Sequence, residues 1–369
     1  MKKFILLFWA VCIALPLFSQ GKGKIVIPDL KGYKTLQCDF HMHSIFSDGT
    51  VWPTVRVDEA LREGLDAISL TEHLENRRYP QELEKLSNVS LKNVSHNISY
   101  EIALSYAKER DIILIRGAEI TRAMPPGHSN AIFITNADAL ATPNYMDAFR
   151  AAKAQNGFIF WNHPGWVAQQ PDTTLWFKEH TELLQQGMMH GIEVVNGPYY
   201  PEAHRWCLEK KLTFIGTSDA HAPIPPYAFG KHRTMTLVFA KERSVDAIHE
   251  ALKERRTAIY HEEFIIGNEQ YLKELFENAL EITVTKAGNT AQITLKNKSD
   301  ITFRLKKAKH DARLTYFRNT SVEPVTIAPQ SVLTISVRLN DGITGGDVNF
   351  SVENFLIEPN KGMKYTIKI

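Results

Sequence analysis

From residue 35 to about residue 260 the chain alternates short apolar runs with stretches of helical period. The runs "TLQCDF", "DAISLTEH", "IILIRGAEI", "NAIFIT", "FIFWNH", "HGIEVVNG", "LTFIGTSDAH", "TMTLVFA" and "TAIY" have the length and composition of buried strands. Between them, "VRVDEALREG", "SYEIALSYAKERD", "YMDAFRAAKAQNG", "PEAHRWCLEKK" and "SVDAIHEALKER" repeat apolar residues at the spacing of one helix face. Gly64 and Gly157 stand where helix stops are expected. Strands alternating with helices predict parallel α/β units, and a run of ~225 residues of them predicts a barrel.

From Leu280 the period changes. "LEITVTKAGNTAQITLKNKSDITFRLKK" and "PVTIAPQSVLTISVRL" alternate apolar and polar residues with turn residues between them. That pattern predicts an all-β, Ig-like sandwich over residues 280–369, packed on the barrel in a structural role. "EEFIIGNEQYLKELFENA" reads as the junction. At the other end, "MKKFILLFWAVCIALPLFSQGKGK" has a basic start, an apolar run and the small residue Ser19. It reads as a signal peptide over residues 1–19, which sends the chain to the periplasm or outside the cell. The apolar run falls short of the ~20 residues that span a bilayer, so no membrane span is expected in the mature chain.

Composition adds little to this picture. The 369 residues are 44% hydrophobic and 23% charged, as in ordinary globular proteins. Removing Lys2 and Lys3 from the 43 basic residues leaves them equal in number to the 41 acidic ones. Such balance argues against a stable nucleic-acid partner. Cys38 and Cys207, which remain after residue 19, do not make a disulfide framework and are expected to be buried free thiols.

The ends of the strand candidates carry the chemistry. "CDFHMH" ends in His41 and His43, "SLTEH" in Glu72 and His73, and "RGAEI" carries Glu119. "FWNHPG" supplies His163, and "GTSDAH" supplies Asp219 and His221. Asp48 follows in the first loop, and His128 precedes "NAIFIT". A lone histidine is ordinarily a satisfied core or surface residue. Parallel barrel strands, however, converge their C-terminal ends on one face, so these residues together point to metal. Imidazole and carboxylate without thiolate suit Zn, Mn or Fe. Histidines 96, 180, 190, 204, 249, 261 and 310 read as non-ligands.

In this order and spacing, "DFHMHSIFSDG", "TEH", "GAE", "NHP" and "SDAH" resemble the polymerase-and-histidinol-phosphatase (PHP) superfamily over about residues 35–260. The resemblance implies a distorted (β/α)7 TIM-like barrel, taken here as residues 20–272, with a trinuclear centre of up to three divalent ions. His41, His43, Glu119 and Asp219 would hold the first ion. Glu119, His128 and His163 would hold the second, and Asp48, His73 and His221 the third. Asp39 and Glu72 would support ligands from behind; the family usually has Asp at the position of Glu72.

The implied activity is phosphoester hydrolysis of a small anionic substrate by a metal-bound hydroxide held by Glu119 and Asp219. Arg122, Lys231, His232, Arg233 and Arg77, with Arg78 beside it, are the candidate substrate-binding cations; Trp166 in "HPGW" falls near the rim, where it could stack on a base or sugar, although a core position is preferred. Three other readings compete. They are an amidohydrolase cleaving C–N or C–O bonds, a nuclease for short oligonucleotides, and an exported binding protein using its β domain.

Overall fold

The computed structural model describes residues 23–77, 94–226, 231–309, 314–317 and 324–369. The signal-peptide reading, Arg78 and His310 therefore lie outside the described residues. Strand β1 (Lys34–Asp39) leads through helix α1 (Pro53–Glu63) to β2 (Ala67–Leu70), and α2 (Ile98–Glu109) precedes β3 (Ile113–Ile120). Then come β4 (Ser129–Ile132), α3 (Tyr145–Ala154), β5 (Phe158–Trp161), α4 (Lys178–Gln185), β6 (Gly191–Asn196), α5 (Pro201–Lys210) and β7 (Thr213–Thr217). The series closes with β8 (Met235–Ala240), α6 (Val245–Lys253) and β9 (Thr257–His261). Helix α1 begins on Pro53 and stops at Gly64, whose φ of 71° is the left-handed cap. Helix α4 is faint in the sequence because only His180 and Leu183 of it are buried.

The strands run in the order β8-β1-β2-β3-β4-β5-β6-β7 around an α/β barrel. Neighbours β1–β2–β3 and β5–β6–β7 are parallel, as the alternation predicts. The all-parallel expectation fails at β4, which is antiparallel to both β3 and β5, and at β8, which is antiparallel to β1. Only residues 121–128 join β3 to β4, and a parallel crossover needs roughly a dozen residues or more.

Between β7 and β8–β9, threonine hydroxyls bridge the seam. Thr236 Oγ1 accepts from the Gly216 N–H at 3.0 Å and donates to the Gly216 carbonyl at 2.8 Å, and Thr257 Oγ1 donates to the Phe214 carbonyl at 2.9 Å. Gly216 permits this approach, since a Cβ there would sit 2.3 Å from Ile259 Cγ2. Leu36, Cys38 and Phe40 alternate onto an inner cluster with Ile115, Phe158, Phe160 and Ile215, packed against Ile248, Ala251 and Leu252 of α6. Cys38 and Cys207 are buried and free.

Past β9, the junction forms β10 (Phe264–Gly267) and α7 (Glu269–Ala279). The β region follows as β11 (Leu280–Ala287), β12 (Thr290–Asn297), β13 (Phe303–Lys309), β14 (Leu314–Phe317), β15 (Val325–Ile327), β16 (Val332–Leu339), β17 (Asp347–Glu358) and β18 (Lys361–Lys368). One sheet is β11-β12-β16-β14. The other, β15-β13-β17 with β18, is continuous with the barrel, because β17 pairs in parallel with β10. Phe276 of α7 packs on Phe303, Phe355 and Tyr365, so the two halves share one core.

Candidate metal centre

Each motif follows from where its strand ends. His41 and His43 lie just past β1, His73 past β2, His163 past β5, and Asp219 and His221 past β7, while Glu119 is within β3. His128 precedes its strand in sequence, yet it joins the same barrel mouth because β4 runs the other way. Backbone pairing continues into the motifs. The His43 N–H donates to Ala220, the Thr71 N–H to Met42 and the Leu74 N–H to Glu119, at 2.9–3.0 Å. His163 and Asp219 carry φ of 28° and 50°, left-handed values that non-glycine residues adopt at a cost and that concentrate at functional sites.

Four atoms converge at the centre. His41 Nε2 and His43 Nε2 are 3.1 Å apart, each is 3.4 Å from Glu119 Oε2, and they lie 3.2 and 3.1 Å from Asp219 Oδ1. A tetrahedral site with bonds of about 2.0–2.1 Å has ligand–ligand edges of about 3.3–3.4 Å, so the spacing fits one ion. Asp48 Oδ1 lies 3.4 Å from His73 Nε2 and 3.2 Å from His221 Nε2. Glu119 Oε1 lies 2.9 Å from His128 Nδ1 and 3.8 Å from His163 Nε2. Asp48 Oδ1, Asp219 Oδ1 and His128 Nδ1 are buried and lack a hydrogen bond of good angle. Orphaned atoms of this kind, aimed at one another, are what a cation would satisfy.

The ligand-type atoms group as His43, Asp48, His73, His221; as His41, His43, Glu119; and as His73, Glu119, His128. The groups share members, whereas the expected partition gives His43 and His73 one ion each. His73 Nδ1, for instance, stands 2.9 Å from Glu119 Oε2.

Neighbours fix the rings and carboxylates. His41 Nδ1 donates to Glu193 Oε1 at 2.7 Å, which leaves the lone pair on Nε2 facing the cluster. Asn162 Nδ2 donates to Glu119 Oε1 at 3.0 Å. Asp39 accepts from the Ser218 hydroxyl at 2.6 Å and from buried Arg233 at 3.0 Å, so it braces the segment before Asp219. Glu72 accepts from the Ser44 N–H and hydroxyl and from the Ser47 hydroxyl, and holds the loop after His43.

Burial pushes the Glu119 carboxyl up, but His73, His41, His128 and His163 outweigh it and hold the group well below the usual carboxylate range. Burial opposes charge on His41, yet Asp219, Glu193 and Glu119 raise it well above the ordinary histidine value. His43, under burial and the charge of His73, falls to about 4. Histidines likewise outweigh burial at Asp48 and Asp219 and hold both carboxyls below the usual carboxylate range.

The centre opens into a cavity of about 560 Å³ lined by Asp48, His73, Glu119, His128, His163, Asp219 and His221 together with neutral residues. Among the described residues, none of the cations singled out in the sequence lines it. Arg233 is fully buried between Asp39 and Glu63, so it is a structural ion pair rather than a substrate contact. Arg122 is turned to Glu75 and to the carbonyls of Thr142 and Pro143, and Arg77 donates to the Val94 carbonyl. His232 lies on the Tyr260 ring and bonds the Glu262 carbonyl, and Lys231 stands beside it outside the lining. Trp166 is 43% exposed on the cavity wall, which is the rim position and not the preferred core one.

Glu193 and Arg56 escaped the sequence reading. Each left a signal, a lone charge inside an apolar strand ("GIEVVN") or on the buried face of a helix ("VRV"). Arg56 donates to the carbonyls of His43, Ala220 and Ala222 at 2.9 Å and so ties two ligand-bearing loops together.

The family profile described as PHP domain matches residues 39–320, and one described as Ig-like domain matches residues 279–368. A crystal structure of a two-domain protein from Bacteroides vulgatus, containing a predicted PHP-like metal-dependent phosphoesterase, is 53% identical to this chain. It superposes with a TM-score of 0.87 over 94% of this chain and 98% of that one. An uncharacterised protein of Methanocaldococcus jannaschii is 26% identical over 198 residues, which are 51% of this chain and 83% of the relative. With its α/β barrel, its His/Asp/Glu clusters able to hold metal and its C-terminal Ig-like domain, the chain belongs to the PHP family of metal-dependent phosphoesterases.

Proposed function

We propose that this chain hydrolyses a small phosphorylated substrate at a trinuclear metal centre. The observation that carries the reading is the convergence of His41 Nε2, His43 Nε2, Glu119 Oε2 and Asp219 Oδ1 at separations of 3.1–3.4 Å. These residues would hold the first ion; Glu119, His128 and His163 would hold the second, and Asp48, His73 and His221 the third. The donor set suits Zn, Mn or Fe. Bound ions supply Lewis acidity toward a phosphoryl oxygen and lower the pKa of water from ~15.7 toward ~7.

The chain's own part is positional. Glu193 and Asn162 orient His41 and Glu119, and the hydroxyl of Thr121, 2.6 Å from His73 Nδ1, orients His73. Glu119 and Asp219 line the cavity, where they would hold an attacking water in place. Six neutral imidazoles and three carboxylates offset about half the charge of three divalent ions, and the remaining field favours a phosphate over a neutral amide. Among the described residues no lysine or arginine lines the cavity, which disfavours a long polyanionic strand as substrate.

The test is a panel of phosphomonoesters, phosphodiesters, carboxylic esters and amides offered to metal-loaded and chelated protein, with ions per chain counted by elemental analysis. The expected result is metal-dependent release of phosphate with about three ions per chain, and oxygen from labelled water in the phosphate. Turnover of amides alone, or label in the alcohol, would sink the proposal. The leader pattern of residues 1–19 places the protein outside the cytosol in this reading, and the intact mass of the secreted chain checks cleavage behind Ser19.

A further inference from the structure

One stretch of the cavity wall is aromatic and braced. Trp166 sits in the turn after His163, with its ring 5.3 Å from the His163 imidazole and 5.6 Å from that of His128. The two histidines are tilted 70° and 57° to the indole, so it is held on two sides and still 43% exposed. Gly165 lets the turn lie on Tyr200, since a Cβ there would come within 2.7 Å of the Tyr200 ring. Tyr200 and Pro198 continue the wall.

The neutral polar residues of the lining have inward duties. Asn76 donates to Asp48 at 3.0 Å, Thr121 meets His73, and Asn196 donates to Glu193 at 2.8 Å and to Thr217 at 3.3 Å. Trp166 thus turns a large, fixed, half-exposed ring to the cavity beside His128 and His163, and the described lining adds no lysine or arginine for a second anionic group.

We infer that the substrate's alcohol carries a planar ring without a second anionic group, stacked on Trp166, which makes Trp166 the specificity-determining residue. This deepens the phosphoesterase reading and rests on it. The cavity volume of about 560 Å³ accommodates a phosphate and one ring system. Ring-on-aromatic stacking is worth roughly a tenfold to hundredfold change in affinity when the aromatic is removed.

The test uses the metal-loaded full chain and two esters of similar size and leaving-group basicity, benzyl phosphate and cyclohexylmethyl phosphate. Wild type should favour the benzyl ester in kcat/KM by about tenfold, mainly through KM. Trp166→Ala should bring the ratio close to one, and Trp166→Phe should restore part of it. Calorimetric Kd values for benzylphosphonate and cyclohexylmethylphosphonate should show the same ratio without turnover. A general disturbance of the metal centre would lower both esters alike and leave the ratio unmoved. An unmoved ratio, or none in wild type, overturns the ring assignment while leaving phosphoester hydrolysis standing. Hydrolysis of neither ester, nor of any other phosphoester, by metal-loaded protein overturns both.

Discussion

Replacing Glu193 by Gln tests how the barrel presents His41 to a metal. The Glu193 carboxylate accepts from His41 Nδ1 at 2.7 Å and the Thr217 hydroxyl at 2.6 Å through one oxygen. Through the other it accepts from the His163 N–H at 2.7 Å and from Asn196 at 2.8 Å. Every partner is a donor, so an amide of the same shape must turn its NH2 toward one pair. Turned to His163, it leaves a buried N–H unsatisfied. Turned to His41, it draws the ring into the other tautomer, which places the proton on Nε2, where an ion would bind. Loss of a group that orients a metal-ligating histidine costs about 10–100-fold in metal affinity, or about 1.4–2.7 kcal/mol.

The assay is titration of the loaded protein with a chelator of known affinity, with ions per chain counted at each step. One ion should leave Glu193→Gln at about 10–100-fold lower chelator strength than it leaves wild type. The lost negative charge also weakens the hold of His41 on its competing proton. The deficit should therefore be larger at alkaline than at acidic pH. Release curves that coincide at every pH would refute the role assigned to Glu193.

Three further outcomes follow from the same geometry. Asp48→Ala should lose one ion, the one shared with His73 and His221, and His41→Ala a different one, held with Glu119 and Asp219, so the double variant should lose two; a double variant that keeps as many ions as either single one refutes the assignment of separate ions. Truncation before residue 280 should unfold or strongly destabilise the barrel, because β10 loses its partner β17 and Phe276 loses its aromatic neighbours. Phe276→Ala alone should cost about 3–5 kcal/mol in denaturant unfolding, and a truncated barrel with full turnover would show the β region to be a separate module. His180 is locked neutral, accepting from the Phe177 N–H at Nδ1 and donating from Nε2 to the Pro126 carbonyl, and burial lowers it to about 4. Its folded value is below its unfolded one, so its contribution is complete above about pH 6.5 and is lost as pH falls toward 4; roughly 2 kcal/mol should go by pH 5. His180→Gln should remove that part of the slope of stability against pH, and an unchanged slope counts against it.

Local chemistry imposes a layout that can be read along the chain. Apolar runs of strand length, helical periods between them and a switch to twofold alternation at Leu280 are properties of neighbouring residues, and they were legible as such. So was the recurrence of histidine and carboxylate at strand ends, because parallel strands must deliver those ends to one face. Tertiary structure decided what depends on partners distant in sequence. The reversal of β4 brought His128 to the mouth from the wrong side of its strand. Pairing of β10 with β17 joined two periodic patterns into one sheet. The loop cations were the clearest misreading. Arg233 lies between Asp39 and Glu63 and Arg122 faces Glu75, since a buried or half-buried guanidinium takes the nearest carboxylate the fold supplies. Conversely, Glu193 reads along the chain as a strand residue, and only the fold sets it behind His41 and chooses the cavity edge over the core for Trp166. Residue type and spacing say which groups can bind a metal; only the closed barrel says which atoms stand 3.1–3.4 Å apart.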